Sequence, residues 1–487
     1  MWRTSVAGAV LFVLSAPAHP TTHLVRPDGT GDWPTIQAAV AAALGGDVIE
    51  LADGVFAGPG NRDVDIIGKE LAICSQSGDP MACQVDCQGT PNEPHRALLF
   101  WTASRPYTGS VEGITFIHGY AEFGGGVLCR EHAHISFANC VFRENEAVLG
   151  GGLCCVADEG SLLGGSAGGQ RDVPLYVISD CFFENNHALG TGGAAYLLTG
   201  SYLLEHCRIT SNEGDGISCM YAVTDYTDCD FRDNTGPRGA LVWETCFFTS
   251  TIQGCTFRGN APAALYNNHN VDIHIESCTF WSNAVAIQDE WATPCVLART
   301  IIANSSVAAF GEEDNATLTC CDLFGNAGGD WVGSIAEQLG INGNFSADPC
   351  FCDAKNGDYH LWNYSPCNQE GCGLIGAWPV GCSDPQVMVP VPEPRTRAPR
   401  ASVSPNPVAG PAQIRYVLPT RAKQLARFTI YDPAGRAVRT LMSAGQATGA
   451  LTWDATDARG HRVPSGAYFL RLRVGEQEVV RRVVVVH

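Results

Sequence analysis

CTFRGN at Cys255–Asn260 is followed, 23 residues on, by CTFWSN at Cys278–Asn283. The same sentence, Cys-x-apolar-x-x-Asn, recurs as CVFREN from Cys140, CFFENN from Cys181, CRITSN from Cys207, CDFRDN from Cys229 and CDLFGN from Cys321. Two degenerate copies, ITFIHG from Ile114 and RTIIAN from Arg299, extend the series. Successive starts lie 21 to 26 residues apart, except for one step of 41 that holds the Gly-rich stretch ADEGSLLGGSAGGQRDVP. A repeat of this period is the mark of a solenoid.

Local chemistry says which solenoid. Within each copy the first and third residues are apolar and the second and fourth mostly are not, the pattern of a strand with one buried face. Asn at the sixth position is expected to take the left-handed conformation of a tight bend. A second short strand follows (GGGVLC, GGGLCC, DGISCM, GALVW), and a third precedes the next copy (HISFAN, LYVIS, SYLLEH, DIHIES). Three short strands per turn with no helical periodicity describe a parallel β-helix. Turns stacked at about 4.8 Å place like side chains on like. Cys140, Cys181, Cys207, Cys229, Cys255, Cys278 and Cys321 then form an inward column of small apolar fillers. Disulfides prefer Cβ atoms about 3.8 Å apart, closer than stacked neighbours lie, so these seven are expected to stay thiols. Asn145, Asn186, Asn212, Asn234, Asn260, Asn283, Asn304 and Asn326 form a ladder whose amides bond the bends above and below. The repeated sentence is architecture rather than chemistry.

The ends of the repeat are different. DGTGDWPTIQAAVAAALGGDVIELADGVF contains a short amphipathic helix, with Thr35 as N-cap, Ile36, Val40 and Leu44 on one stripe, and Gly45 as terminator. Five cysteines (Cys350, Cys352, Cys367, Cys372, Cys382) crowd the loop-rich far end, where local disulfides are expected. Cys74, Cys83 and Cys87 are candidates for the same role at the first turns. The pattern G-x-G-x-x-x-T-I-Q-x-A-V, then G-D-x-I-x-L-x-x-G-x-F, resembles the opening segment of pectin-lyase-like right-handed β-helix proteins, pectin methylesterases included. That likeness implies a right-handed helix and a family that cuts or de-esterifies acidic polysaccharides.

The family's catalytic sets are not written here. Ile117–Gly119 (IHG) is the nearest fragment of a polygalacturonase set, and no R-x-K occurs within residues 19–382. No lyase-type Arg base with an Asp cluster stands out, while an esterase set of two Asp and one Arg on neighbouring turns stays open. The repeat register turns Arg143, Glu184, Arg208, Asp230, Arg232, Arg258 and Trp281 outward beside the Cys column. A solvated face with charge pairs across turns is the plain reading. A saccharide-binding strip is the functional one, since Arg forks suit carboxylates and Trp suits sugar faces. No cofactor is expected beyond weak calcium binding at Glu312-Glu313-Asp314 or Asp225/Asp228.

Composition bounds the rest. The 487 residues carry a formal net charge of −20 and only 16% charged residues, which argues against nucleic acid as partner. The acidic excess lies before Asp384; from there on 15 basic residues face 7 acidic ones. Arg3, the apolar run Val6–Leu14 and Ala16-x-Ala18 read as a signal peptide over residues 1–18, too short to span a bilayer. The β-helix is assigned to 19–382 and a Pro-rich linker to 383–404. The remaining residues, 405–487, alternate as about six strands of a small β-sandwich. FTIYDPAGRAVRTL…LTWDATDARGHRVPSGAYFLRL resembles the Ig-like domain of flagellar hook-capping proteins. With Pro405-Asn406-Pro407 it is also similar to the C-terminal sorting domains of type IX secretion cargo, which implies export and a secretion-machinery partner.

The expected molecule is all-β: a right-handed parallel β-helix solenoid with a short N-terminal capping helix, then an Ig-like sorting or anchoring domain. It is secreted or displayed on the outer surface, has no membrane span, and leans toward non-catalytic, adhesive binding of extracellular polysaccharide. The alternative is a lyase, hydrolase or esterase with a divergent site.

Overall fold

The computed structural model divides the chain into two compact units, Met1–Asp384 and Pro385–His487. It describes residues 20–383, apart from 103–106, 132, 157–174, 247–248, 269–270, 292, 312–314 and 370. It also describes residues 400–486, apart from 405, 407, 409, 419–425, 433–435, 443–447 and 475–476. The signal-peptide reading, most of the linker, the Gly-rich insertion, Pro405, Pro407 and the Glu312–Asp314 run therefore lie outside the described residues.

The first unit is a parallel solenoid of about ten turns. The short strands that open each repeat, from Gly54–Ala57 through Thr256–Arg258 and Thr279–Trp281 to Asp322–Phe324, form one 11-stranded sheet. The second and third strands of each turn merge into a 20-stranded sheet. They do so where Ala195–Glu205 and Ile217–Thr227 run through the corner as single 11-residue strands. Stacking is in register: Phe231 lies on Phe257 and Phe257 on Phe280, with ring centroids 4.7 Å apart and ring planes nearly parallel. That distance is the strand spacing itself. The seven repeat cysteines are buried free thiols. The Cys140 and Cys229 amides donate to the sulfurs of Cys181 and Cys255 on the next turn, each at 3.4 Å.

Asn145, Asn186, Asn212, Asn234, Asn260 and Asn283 form a continuous chain of amides. Each Nδ2 donates to the next Oδ1 at 2.9 to 3.1 Å. Each also donates to a carbonyl of the preceding turn, as Asn234 does to Ile209 at 2.7 Å. Two expectations are corrected here. The left-handed residue is the fifth of each copy, not the Asn: Glu144, Asn185, Ser211, Asp233, Gly259 and Ser282 have φ from 52° to 63°. The Asn stays outside that region and turns its amide inward. The degenerate copy is also shifted by one. Ile302 pairs with Phe280, so Thr300 stands in the Cys column and Ser305 in the ladder. Asn304 is instead the left-handed residue of its turn, at φ 56°, and leaves the ladder.

A helix, Ile36–Ala42, packs Ile36, Ala39 and Val40 into the core of the first turns, and Thr35 Oγ1 accepts from the Ala38 amide at 3.2 Å. It ends at Ala43, which takes an extended conformation. Leu44 therefore lies beyond the helix and is exposed rather than on the buried stripe. At the far end the described disulfides are Cys320–Cys372 and Cys352–Cys382. Cys350 and Cys367 stay thiols, as do Cys83 and Cys87. The partner of Cys372 comes from the solenoid itself, not from the local loop.

The second unit is a β-sandwich. Arg400–Ser404, Ala412–Val417 and Thr448–Trp453 form one antiparallel sheet. Ala437–Met442, Arg427–Tyr431, Gly466–Val474 and Gln477–Val485 form the other, in that order. Trp453, Phe428, Leu470 and Leu472 fill its core. The strand Arg400–Ser404 lies inside the stretch the sequence reading gave to the linker; its alternation is too short to separate from the prolines before it. Asn406 accepts from the Val484 amide at 2.8 Å and donates to the Arg482 carbonyl at 3.1 Å, tying the start of the domain to its last strand.

Candidate functional site

In each three-residue strand the middle side chain points into the solenoid and its two neighbours point outward. The outward positions carry the charged strip. Arg143 is ion-paired with Glu184 on the next turn. Arg208 lies over the Phe182 ring, 5.3 Å from its centroid. Arg208, Asp230 and Thr256 are register neighbours, as are Thr210, Arg232 and Arg258. Arg232 Nη2 donates to Asp230 Oδ2 at 3.1 Å, and the Arg232 Nε is buried with no hydrogen-bond partner among the described residues. Burial raises the Asp230 carboxyl above its ordinary range, against the opposing pull of Arg232, Arg208 and Arg258.

The strip is not a uniform solvated face. Residues 350–382 fold back over its C-terminal half. The strand Asp358–Trp362 presents Tyr359 to the sheet, and burial pushes the Tyr359 phenol up to about 12 despite Arg258 beside it. Trp281, expected to meet a sugar face, is part-buried and packs edge-on against Phe351 with centroids 5.4 Å apart. Trp378 Nε1 donates to Thr256 Oγ1 at 2.8 Å, and the Ala377 amide to Thr279 Oγ1 at 3.0 Å. Arg258 Nη2 donates to the Lys355 carbonyl at 3.4 Å. Gly357, at φ 85°, lies so close to the arginines that a Cβ there would be 3.0 Å from Arg258 Nη1.

The structure places Arg208, Asp230, Arg232 and Arg258 on adjacent strands, as the repeat register expects. The sequence reading missed Lys355, Gly357, Tyr359 and Trp378, which wall them in. One signal was legible. Beyond Arg258 the outward positions, Asp322 apart, turn small or apolar (Thr279, Ile301, Ala303, Phe324), which marks a covered surface.

A second cluster was missed altogether. Arg238 contacts two carboxylates, Asp215 at 2.8 Å and Glu244. Asp215 is fully buried and also accepts from the Arg238 and Gly239 amides at 2.9 and 3.0 Å and from Thr191 at 3.2 Å. Both Asp215 oxygens are fully engaged, so Arg238 and its two carboxylates clamp neighbouring turns together. Asp225 accepts from the Thr251 amide and Asp228 lies 3.5 Å from His206. Among the described residues no group of three or more His, Cys, Asp or Glu side chains is placed to hold a metal ion. A groove of about 580 Å³ runs between the strap at Cys372–Ala377 and the solenoid edge at Asp228, Gln253 and Arg299.

These features define the class of protein. A family model described as right handed beta helix region matches residues 125–280 and 171–346, and one described as FlgD Ig-like domain matches residues 406–477. Residues 125–346 thus match a right-handed β-helix and residues 406–477 an Ig-like domain of the FlgD type. No curated protein matches it. Among solved structures, pectate lyase Pel9A is similar at 12% identity, over 75% of this chain and 97% of that one, with a TM-score of 0.48. The rice weevil pectin methyl esterase is similar at 12% identity, over 69% of this chain and 90% of that one, with a TM-score of 0.27. The latent PorU of Porphyromonas gingivalis is similar at 23% identity, over 18% of this chain and 9% of that one, with a TM-score of 0.16. Among the described residues no helix is long and apolar enough to cross a membrane.

Proposed function

We propose that this chain is a secreted or surface-displayed protein that binds acidic polysaccharide through Arg208, Arg232 and Arg258 without turning it over. One observation supports the reading above others: three guanidinium groups on three successive turns surround a single part-buried carboxylate, in a chain whose overall charge is strongly negative. Guanidinium forks recognise carboxylates in a planar, two-point geometry. The local excess of positive charge sets the field at that spot against the field of the rest of the chain. The test is titration with uronic-acid oligomers. Binding is expected to weaken at least tenfold in Arg232→Ala and further in the Arg208→Ala/Arg232→Ala double variant; unchanged affinity in the double variant overturns the assignment.

A second reading, hydrolysis, elimination or de-esterification of the same polymers, has its own support. Asp230 is a part-buried carboxyl with a raised pKa beside an arginine, the environment of a general acid. Incubation with a panel of uronic-acid polymers, with and without calcium, separates the two readings. Turnover that disappears in Asp230→Asn establishes the enzyme and removes the binding-only reading. For the Ig-like unit we propose sorting or anchoring after export. A reporter fused to residues 385–487 is expected to reach the cell surface through the type IX machinery, and its retention inside the cell overturns that role.

A further inference from the structure

The charged strip ends against a wall. Outward positions from Arg143 to Arg232 carry charged or polar side chains apart from Phe182, while Thr256, Thr279, Ile301 and Asp322 on the following turns are buried outright. Three contacts close the sheet at this point. Trp378 and Ala377 hydrogen-bond the two threonines, Phe351 and Tyr359 pack on Trp281, and the Ala354–Asn356 turn with Gly357 backs Arg258 and Arg232. Gly376 completes the strap: its amide donates to the Arg299 carbonyl at 2.7 Å, and a Cβ there would meet Ile301 at 2.7 Å. Two disulfides, Cys320–Cys372 and Cys352–Cys382, tie these segments down. Beneath them Ile301, Ala303, Leu361, Cys367 and Ile375 form a separate buried apolar cluster. The covering is thus a packed element with its own core.

We propose that the site recognises the end of an acidic polysaccharide chain, not its interior. This inference rests on the polysaccharide-binding reading above. A chain lying along the solenoid axis advances over turns spaced about 4.8 Å apart. At Arg258 it meets the Lys355–Gly357 turn, with Tyr359 and Trp378 behind it, and cannot continue. Its terminal residue stops where Arg232 and Arg258 converge, so a terminal carboxylate is the group both guanidinium forks reach. A site open at both ends would instead load anywhere along a polymer.

Stoichiometry per chain tests this. The full-length protein is titrated with α-1,4-linked galacturonate oligomers of about four residues and with polymer of about one hundred residues, at equal molar concentration of chains, by calorimetry and sedimentation velocity. Alginate and glucuronate oligomers of the same two lengths serve as parallel probes. The expected result is one protein per chain at both lengths, with affinity per chain changing less than about threefold. Arg232→Ala is expected to weaken both lengths equally and leave the stoichiometry at one. Several proteins loading on one long chain overturn end recognition and leave the polysaccharide-binding reading standing. No binding of any of these uronates overturns both.

Discussion

Asp322 is a buried carboxyl beneath the C-terminal covering, and its titration predicts how firmly that covering is held. It occupies an outward position of its strand, is fully inaccessible, and among the described residues accepts from the Ala347 amide at 3.0 Å and the Cys367 thiol at 3.2 Å. Burial raises its pKa to about 7 from the ordinary 3.8, with Asp330 and Asp348 adding repulsion. The sign follows from linkage. The unfolded or opened form loses its proton first as pH rises, so the closed form is favoured below about pH 4, loses stability between about pH 4 and 7, and stays at the lower level above. The difference between the two pKa values corresponds to about 4 kcal/mol at full ionisation, or about a thousandfold in the opening equilibrium. Cys367 reports the opening, because its thiol is buried and bonded to the same carboxyl. Labelling with 4,4′-dithiodipyridine, which reacts with thiols in acid as well as at neutral pH, gives a protection factor once normalised to unfolded protein. Protection of Cys367 is expected to fall by two to three orders of magnitude, roughly, from pH 4 to pH 8. In Asp322→Asn it is expected to stay level across that range. A wild-type protection factor that does not change with pH would refute the reasoning, because the carboxyl would then not titrate under the covering.

Other perturbations probe the repeat. Asn234→Ala removes the acceptor for the Asn212 amides and the donor to Ile209, so about 2 to 4 kcal/mol of stability is expected to go, seen as a lowered thermal midpoint. Cys255→Thr is expected to cost under about 1 kcal/mol in the same melt: Thr300 already stands in the column, and its hydroxyl bonds the Ala298 carbonyl as the Cys255 thiol bonds that of Gln253. Gly193→Ala is expected to destabilise by more than about 3 kcal/mol or to abolish soluble expression, since the new Cβ would lie 2.2 Å from the Glu213 carbonyl oxygen of the next turn. Reduction of Cys320–Cys372 and Cys352–Cys382 is expected to cost about 2 to 4 kcal/mol each and to expose Cys367 to labelling while the Asn ladder turns keep their amide protection.

The columns were legible because they are local sums. A 21-to-26-residue period, a Cys, a Phe and an Asn at fixed offsets suffice to stack turns, and the stacked rings and amides follow from that spacing alone. The misplacement of Asn304 for Ser305 came from reading RTIIAN by its Asn. The pairing of Ile302 with Phe280 is decided by what fills the core, and the isoleucine wins. The disulfides were half legible: crowded cysteines mark the covered end, but Cys320 was bridged because the chain returns to it in space.

From its sequence alone, this protein is determined to be a β-solenoid with inward columns, followed by a sandwich domain, since side-chain period and turn chemistry act between near neighbours. Whether an outward side chain meets water, a ligand or another part of the chain was decided only by tertiary structure. Arg143 and Arg258 hold the same place in their repeats, yet the second stands against a wall built about a hundred residues later in the chain. Periodicity orients a side chain; it carries no record of what long-range packing lays on top of it.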